Sequence, residues 1–214
     1  MRGSSSTDDA TERAALGRAL FSPARIALIG ATPHQDRLTS RPQRVLKQHG
    51  YRGTIIPISP RYPEIGGDQA FRSLRSVDGQ IDHAFVMVPA TAVPDAIAEC
   101  CAAQVRVATI FTAGFAESGE EGERRQQTMV DMAHAAGLRL LGPNCLGVVN
   151  VQDRVTLSAN AVLEQEVLRP GGLSVVSQSG SMLGAIITRA QERGLGFAKL
   201  ASVGNECDIG DSSC

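Results

Sequence analysis

Arg25-Ile-Ala-Leu-Ile-Gly-Ala-Thr32 decides the fold. Its apolar run, Ile26 to Ile29, is short and continuous, the mark of a strand buried on both faces, as in a parallel sheet. Gly30 and Ala31 then make a small-residue turn with room for a ligand to approach the backbone. The polar segment Thr32–Arg41 leads through Pro42 into a helix. A strand, a tight turn and a helix together offer backbone N–H groups to a phosphate. A nucleotide-like ligand is the expectation.

The same unit recurs along the chain. Ala14–Leu20 reads as a short helix ahead of the first strand. A helix over Gln43–Gln48 closes at His49-Gly50. Thr54-Ile-Ile-Pro-Ile58, Asp82–Val88, Val105–Phe111 and Leu138–Leu141 read as further strands. Between the last three lie two helices, one lined by Val93, Ala96, Ile97 and Cys101, the other by Met129, Met132, Ala133 and Ala136. Alternating strands and helices predict a doubly wound parallel sheet, a Rossmann-like α/β fold. Right-handed crossovers put every strand's C-terminal loop on one edge.

After Gly147 the pattern changes. Val148–Arg169 shows no clear period and reads as a connector that can hold a hairpin. Gly171-Gly172 open a new unit: strand Leu173–Val176, turn Ser177-Gln-Ser-Gly180, helix Ser181–Arg193 and strand Phe197–Val203. A lone strand–helix–strand cannot bury its own sheet, so this unit reads as incomplete. The predicted organisation is a disordered tail at 1–13, a first domain over 14–146 and a partial domain over 147–214.

Composition excludes several classes. The 214 residues are 43% hydrophobic and 20% charged with a net charge of -1, normal for a soluble globular chain. That balance gives no electrostatic reason to expect nucleic acid or an anionic membrane. No apolar run approaches the roughly 20 residues of a membrane span. Met1–Thr11 lacks the apolar core of a signal peptide. The five cysteines form no Cys-x-x-Cys pair, so a reduced, cytoplasmic protein without disulfide or metal is expected.

The first-strand loop departs from a dinucleotide fingerprint. Gly30-Ala-Thr-Pro-His-Gln35 lacks the second and third glycines, and the second strand ends in Ser59-Pro60-Arg61, basic where NAD needs an acid. Arginine there suits a ligand with an extra phosphate near its adenosine ribose, such as NADP or coenzyme A.

Phe21–Thr32, Gly53–Arg61, Val88-Pro-Ala90, Thr112–Gly119, Gly142-Pro-Asn-Cys-Leu-Gly147, Ser177-Gln-Ser-Gly180 and Gly204-Asn205 occur in this order. Together they resemble the N-terminal part of NDP-forming acyl-CoA synthetases, relatives of the succinyl-CoA synthetase alpha subunit. The resemblance implies a Rossmann-like CoA-binding domain followed by a flavodoxin-like one. It places Gly30, Ala31 and Thr32 at the CoA phosphates, and Pro60 and Arg61 at the nucleotide end. It runs Val88, Pro89 and Ala90 along the cofactor and sets Asn144 near the thioester. Ser179, Gly180 and Ser181 would cradle the phosphate of a phosphohistidine.

The family's reaction joins an acid, CoA and a nucleoside triphosphate through acyl phosphate and phosphohistidine intermediates. None of His34, His49, His83 or His134 stands in a glycine-rich loop of the kind that carries that histidine. No catalytic residue is therefore assigned. The ATP-grasp part is expected from elsewhere, in an oligomer, with a small carboxylic acid or acyl-CoA as substrate. A non-catalytic CoA- or acyl-CoA-sensing module, as found fused to acetyltransferases, is the alternative. An NADP-dependent oxidoreductase comes last, for want of a hydride-transfer partner. Cys145 reads as a small buried thiol, and Glu117 either orients the site or complements the dipole of the next helix.

Overall fold

A computed structural model describes residues 6–164 and 168–210. Residues 1–5 of the expected tail and Cys214 lie outside them. Helix α1 (Ser6–Phe21) starts earlier than the sequence suggests and takes in residues 6–13. It leads into β1 (Arg25–Ile29), then α2 (Arg41–Gln48), which has proline in its first turn. Strand β2 (Thr54–Ile58) follows. Gly66 and Gly67, both at positive φ, turn a small hairpin of β3 (Glu64–Ile65) and β4 (Asp68–Gln69). Next come β5 (His83–Val86), α3 (Val93–Ala102), β6 (Val107–Ile110), α4 (Glu120–Ala135) and β7 (Arg139–Leu141).

The five main strands form one parallel sheet in the order β2-β1-β5-β6-β7. The order reverses between β1 and β5, which makes their C-terminal ends the switch point where such sheets take ligands. Alternation along β1 divides the core. Ala27 and Ile29 face one cluster with Ile97 of α3 and Met129 of α4. Ile26 and Leu28 face the other, with Leu20 of α1 and Leu46 of α2.

That second cluster also contains residues from the rest of the chain. The connector expected to hold a hairpin is one: β8 (Gly147–Asn150) pairs antiparallel with β9 (Val155–Ser158). Strands β10 (Pro170–Ser177) and β11 (Phe197–Ser202) flank α5 (Gly180–Glu192). They complete a sheet ordered β10-β11-β8-β9, with β10 and β11 parallel. Val148, Leu157 and Ala201 pack with Ile26, Leu28 and Phe85, so the two sheets share one core. On the other face Val149, Leu200 and Phe197 meet Leu183 and Ile187 of α5. Ile209 continues the first sheet by a parallel bridge to Leu141.

Candidate functional site

The loops after β5, β6 and β7 are stitched edge to edge. Thr112 Oγ1 donates to the Val88 carbonyl at 2.6 Å, and the Asn144 N–H donates to the Thr112 carbonyl at 3.0 Å. The loops after β10 and β11 join the same rim: the Asn205 N–H reaches the Pro143 carbonyl at 2.9 Å, and Gly204 N–H the Gln178 carbonyl at 3.3 Å. Gly204 permits this approach, since its φ is +59° and a Cβ there would lie 2.1 Å from the Pro143 carbonyl oxygen.

These loops enclose a cleft of 790 Å³. Of the residues singled out from the sequence, Val88, Pro89, Asn144, Ser179, Gly180 and Ser181 line it. Asn144 is exposed, at φ +57°, a left-handed conformation that asparagine tolerates. Ser179 caps α5, its Oγ accepting from the Met182 N–H at 3.3 Å. That helix thus points its N-terminal N–H groups, the positive end of its dipole, at the cleft.

The first-strand turn sits beside this cleft. Gly30 has φ +89°, and its N–H donates to the Ile58 carbonyl at 3.0 Å. The space over its α-carbon is taken by the β5 loop: a Cβ would lie 3.0 Å from Val88 Cγ1 and 3.1 Å from the Met87 carbonyl. Ala31 is buried, and Ala90 lies against Gly114. Thr32 lines a separate cleft of 270 Å³ with Arg44 and Lys47. Pro60 and Arg61 are exposed at the C-terminal end of β2. The loops after β1 and β2 are tied by His34 Nε2 and the Tyr62 hydroxyl at 3.0 Å.

Sequence reading did not nominate Asn205, although it follows a strand in a quoted motif, and left Glu117 undecided. Both line the cleft. Burial alone would raise the Glu117 pKa, but hydrogen bonds from Asn205 and from the N–H groups of Gly114 and Phe115 hold the carboxyl below its usual range. Cys145 is fully buried and its Sγ donates to the Ser202 carbonyl at 2.8 Å, so it faces the core. Among the described residues no group of three or more His, Cys, Asp or Glu is placed to hold a metal ion. None of their helices is long and apolar enough to cross a membrane.

Known proteins resemble this chain in sequence and fold. The family of succinyl-CoA ligase-like flavodoxin domains matches residues 170–214. The alpha subunit of acetate–CoA ligase [ADP-forming] II from Pyrococcus furiosus is 34% identical over 88% of this chain, which spans 40% of that subunit. Acetate–CoA ligase [ADP-forming] I from Archaeoglobus fulgidus is 33% identical over 90% of the chain, which spans 27% of it. In structure, the dinucleotide-forming acetyl-coenzyme A synthetase 1 of Ca. Korarchaeum cryptofilum superposes with a TM-score of 0.86 at 30% identity, covering 92% of this chain and 42% of that one. The family of CoA-binding domains matches residues 24–151, more than half the chain, and the protein belongs to it.

Proposed function

We propose that this chain is the CoA-binding portion of an ADP-forming acyl-CoA synthetase, which converts an acid, CoA and ATP into acyl-CoA, ADP and phosphate. One observation carries the reading. Loops from the β5–β7 edge of the first sheet and the N-terminus of α5 converge on a single 790 Å³ cleft beside the switch point. In this reading Thr32, on the separate 270 Å³ cleft with Arg44 and Lys47, and the main chain of Gly30 and Ala31 before it hold the CoA phosphates, with Pro60 and Arg61 at the nucleotide end. Val88, Pro89 and Ala90 flank the arm, and Asn144 meets the thioester end. Ser179, Gly180 and Ser181 offer N–H and hydroxyl groups to the phosphoryl group in transit.

The phosphohistidine and the ATP-grasp part come from polypeptide beyond residues 1–214, within a cytoplasmic oligomer, and the acid is a small carboxylate. The ligase activities named for the relatives favour this reading over a sensor module.

Calorimetric titration of the chain with CoA, NADP and ATP in parallel tests the core of the proposal. Micromolar binding of CoA alone is the expected result. A folded chain that leaves CoA unbound, or prefers NADP, would overturn it.

A further inference from the structure

The cleft wall holds an amide whose polarity is fixed from across the two sheets. Asn205 follows β11, and its Nδ2 donates to Glu117 Oε2 and, at 3.1 Å, to Gln126 Oε1. An amide nitrogen carries two hydrogens, so both are engaged. Glu117 is itself held, because its Oε1 accepts from the Gly114 N–H at 2.5 Å and the Phe115 N–H at 3.3 Å. Gln126 Oε1 also accepts from the Ala116 N–H at 3.4 Å. Turning the Asn205 amide over would set its oxygen against a carboxylate and a carbonyl, which repel it. Among the described residues Asn205 Oδ1 meets no donor, and the residue is partly exposed on the cleft.

An acceptor beside an ionised carboxylate repels anions such as phosphate and carboxylate and calls for a hydrogen-bond donor. Coenzyme A carries such donors along its pantetheine arm, as amide N–H groups and the terminal S–H. We propose that Asn205 Oδ1 receives one of these donors, and that Glu117 and Gln126 are positioning residues that hold the amide in that polarity. This assignment rests on the reading of the cleft as a CoA site.

Glu117→Gln is the informative substitution. Its amide has one acceptor oxygen. If that oxygen keeps the Gly114 N–H, its NH₂ faces Asn205, which then turns over and presents a donor. CoA affinity should fall about five- to tenfold, the worth of one hydrogen bond. Affinity for adenosine 3′,5′-bisphosphate, which ends before the arm, should stay unchanged. Asn205→Ala should give the same split and carries the test if Glu117→Gln does not fold. Desulfo-CoA separates the two donors: a persisting ratio between wild type and variant assigns an arm amide, and a vanished ratio assigns the thiol. Equal losses for CoA and the bisphosphate, or folded variants with unchanged CoA affinity, would overturn the assignment alone. A wild-type chain that binds neither compound would overturn the CoA reading beneath it.

Discussion

The Asp208 carboxylate accepts from two nitrogens of the Arg139 guanidinium, Nε at 2.9 Å to Oδ2 and 3.1 Å to Oδ1, and Nη2 at 2.9 Å to Oδ1. The Leu140 N–H adds a third at 2.8 Å, and His134 Nε2 stands 3.1 Å away. The side chain is 5% exposed. Asp208 precedes Ile209, which bridges to β7, so this contact fixes the end of the described chain to the edge of the first sheet.

Asp208→Ala should therefore destabilise the chain by about 1.5–3 kcal/mol, the worth of charge-assisted hydrogen bonds whose other partner, Arg139, is 34% exposed. Burial alone would push the carboxyl up, yet the bonds from Arg139, Leu140 and His134 hold it below its usual 3.8. Its contribution is present above that value and disappears as the pH falls through the lower folded value. Urea midpoints of wild type and variant should differ most at neutral pH and converge in strong acid.

His83 acts in a separate and milder window. It is fully buried in β5, with Nε2 2.7 Å from Thr109 Oγ1. Burial drives its pKa down to about 4, against a weaker upward pull from the carbonyls of Leu20 and Ala19. Between that value and 6.5 the unfolded chain binds a proton that the native chain does not. Stability should then fall by on the order of 3 kcal/mol as the pH drops across that window. His83→Asn, measured by chemical unfolding from pH 7 to pH 4, should flatten the profile there.

Gly30→Val should cost about 2–4 kcal/mol, combining a β-branched residue at positive φ with a collision against Met87 and Val88. Thermal unfolding reads the loss. A variant as stable as wild type would show that the β5 loop yields freely, which its bond from Thr112 opposes.

Arg61→Ala should leave stability within about 0.5 kcal/mol, as expected of an exposed side chain. If Arg61 meets the 3′-phosphate, the variant should lose affinity for CoA and keep that for dephospho-CoA. Equal losses for the two compounds would remove the residue from that role.

The five-stranded sheet was legible because each strand is a short apolar run ending in small residues. Strands β8 and β9 were legible only as a connector that can hold a hairpin, without their bounds. Their sequences place Asn150, Thr156 and Ser158 at buried positions, where a local pattern shows polar interruptions. Each is satisfied by a main-chain carbonyl: Asn150 by Phe21, Thr156 by Val45 and Ser158 by Leu146. Two of those carbonyls lie more than a hundred residues away in sequence. The site divides in the same way. Val88, Pro89 and the turn before α5 announce themselves locally, as strand ends and helix starts. Asn205 and Glu117 gain meaning only when the fold brings them together, and neither position carries a sign of the other.

The shared core sets how this cleft admits a ligand. Rocking the two sheets apart would bring Val148, Leu157 and Ala201 into water together with Ile26, Leu28 and Phe85, about 1.5–3 kcal/mol for each large side chain. A hinge between the sheets is thus costly. Entry to the cleft therefore proceeds without parting the sheets, between walls that the shared core holds in place.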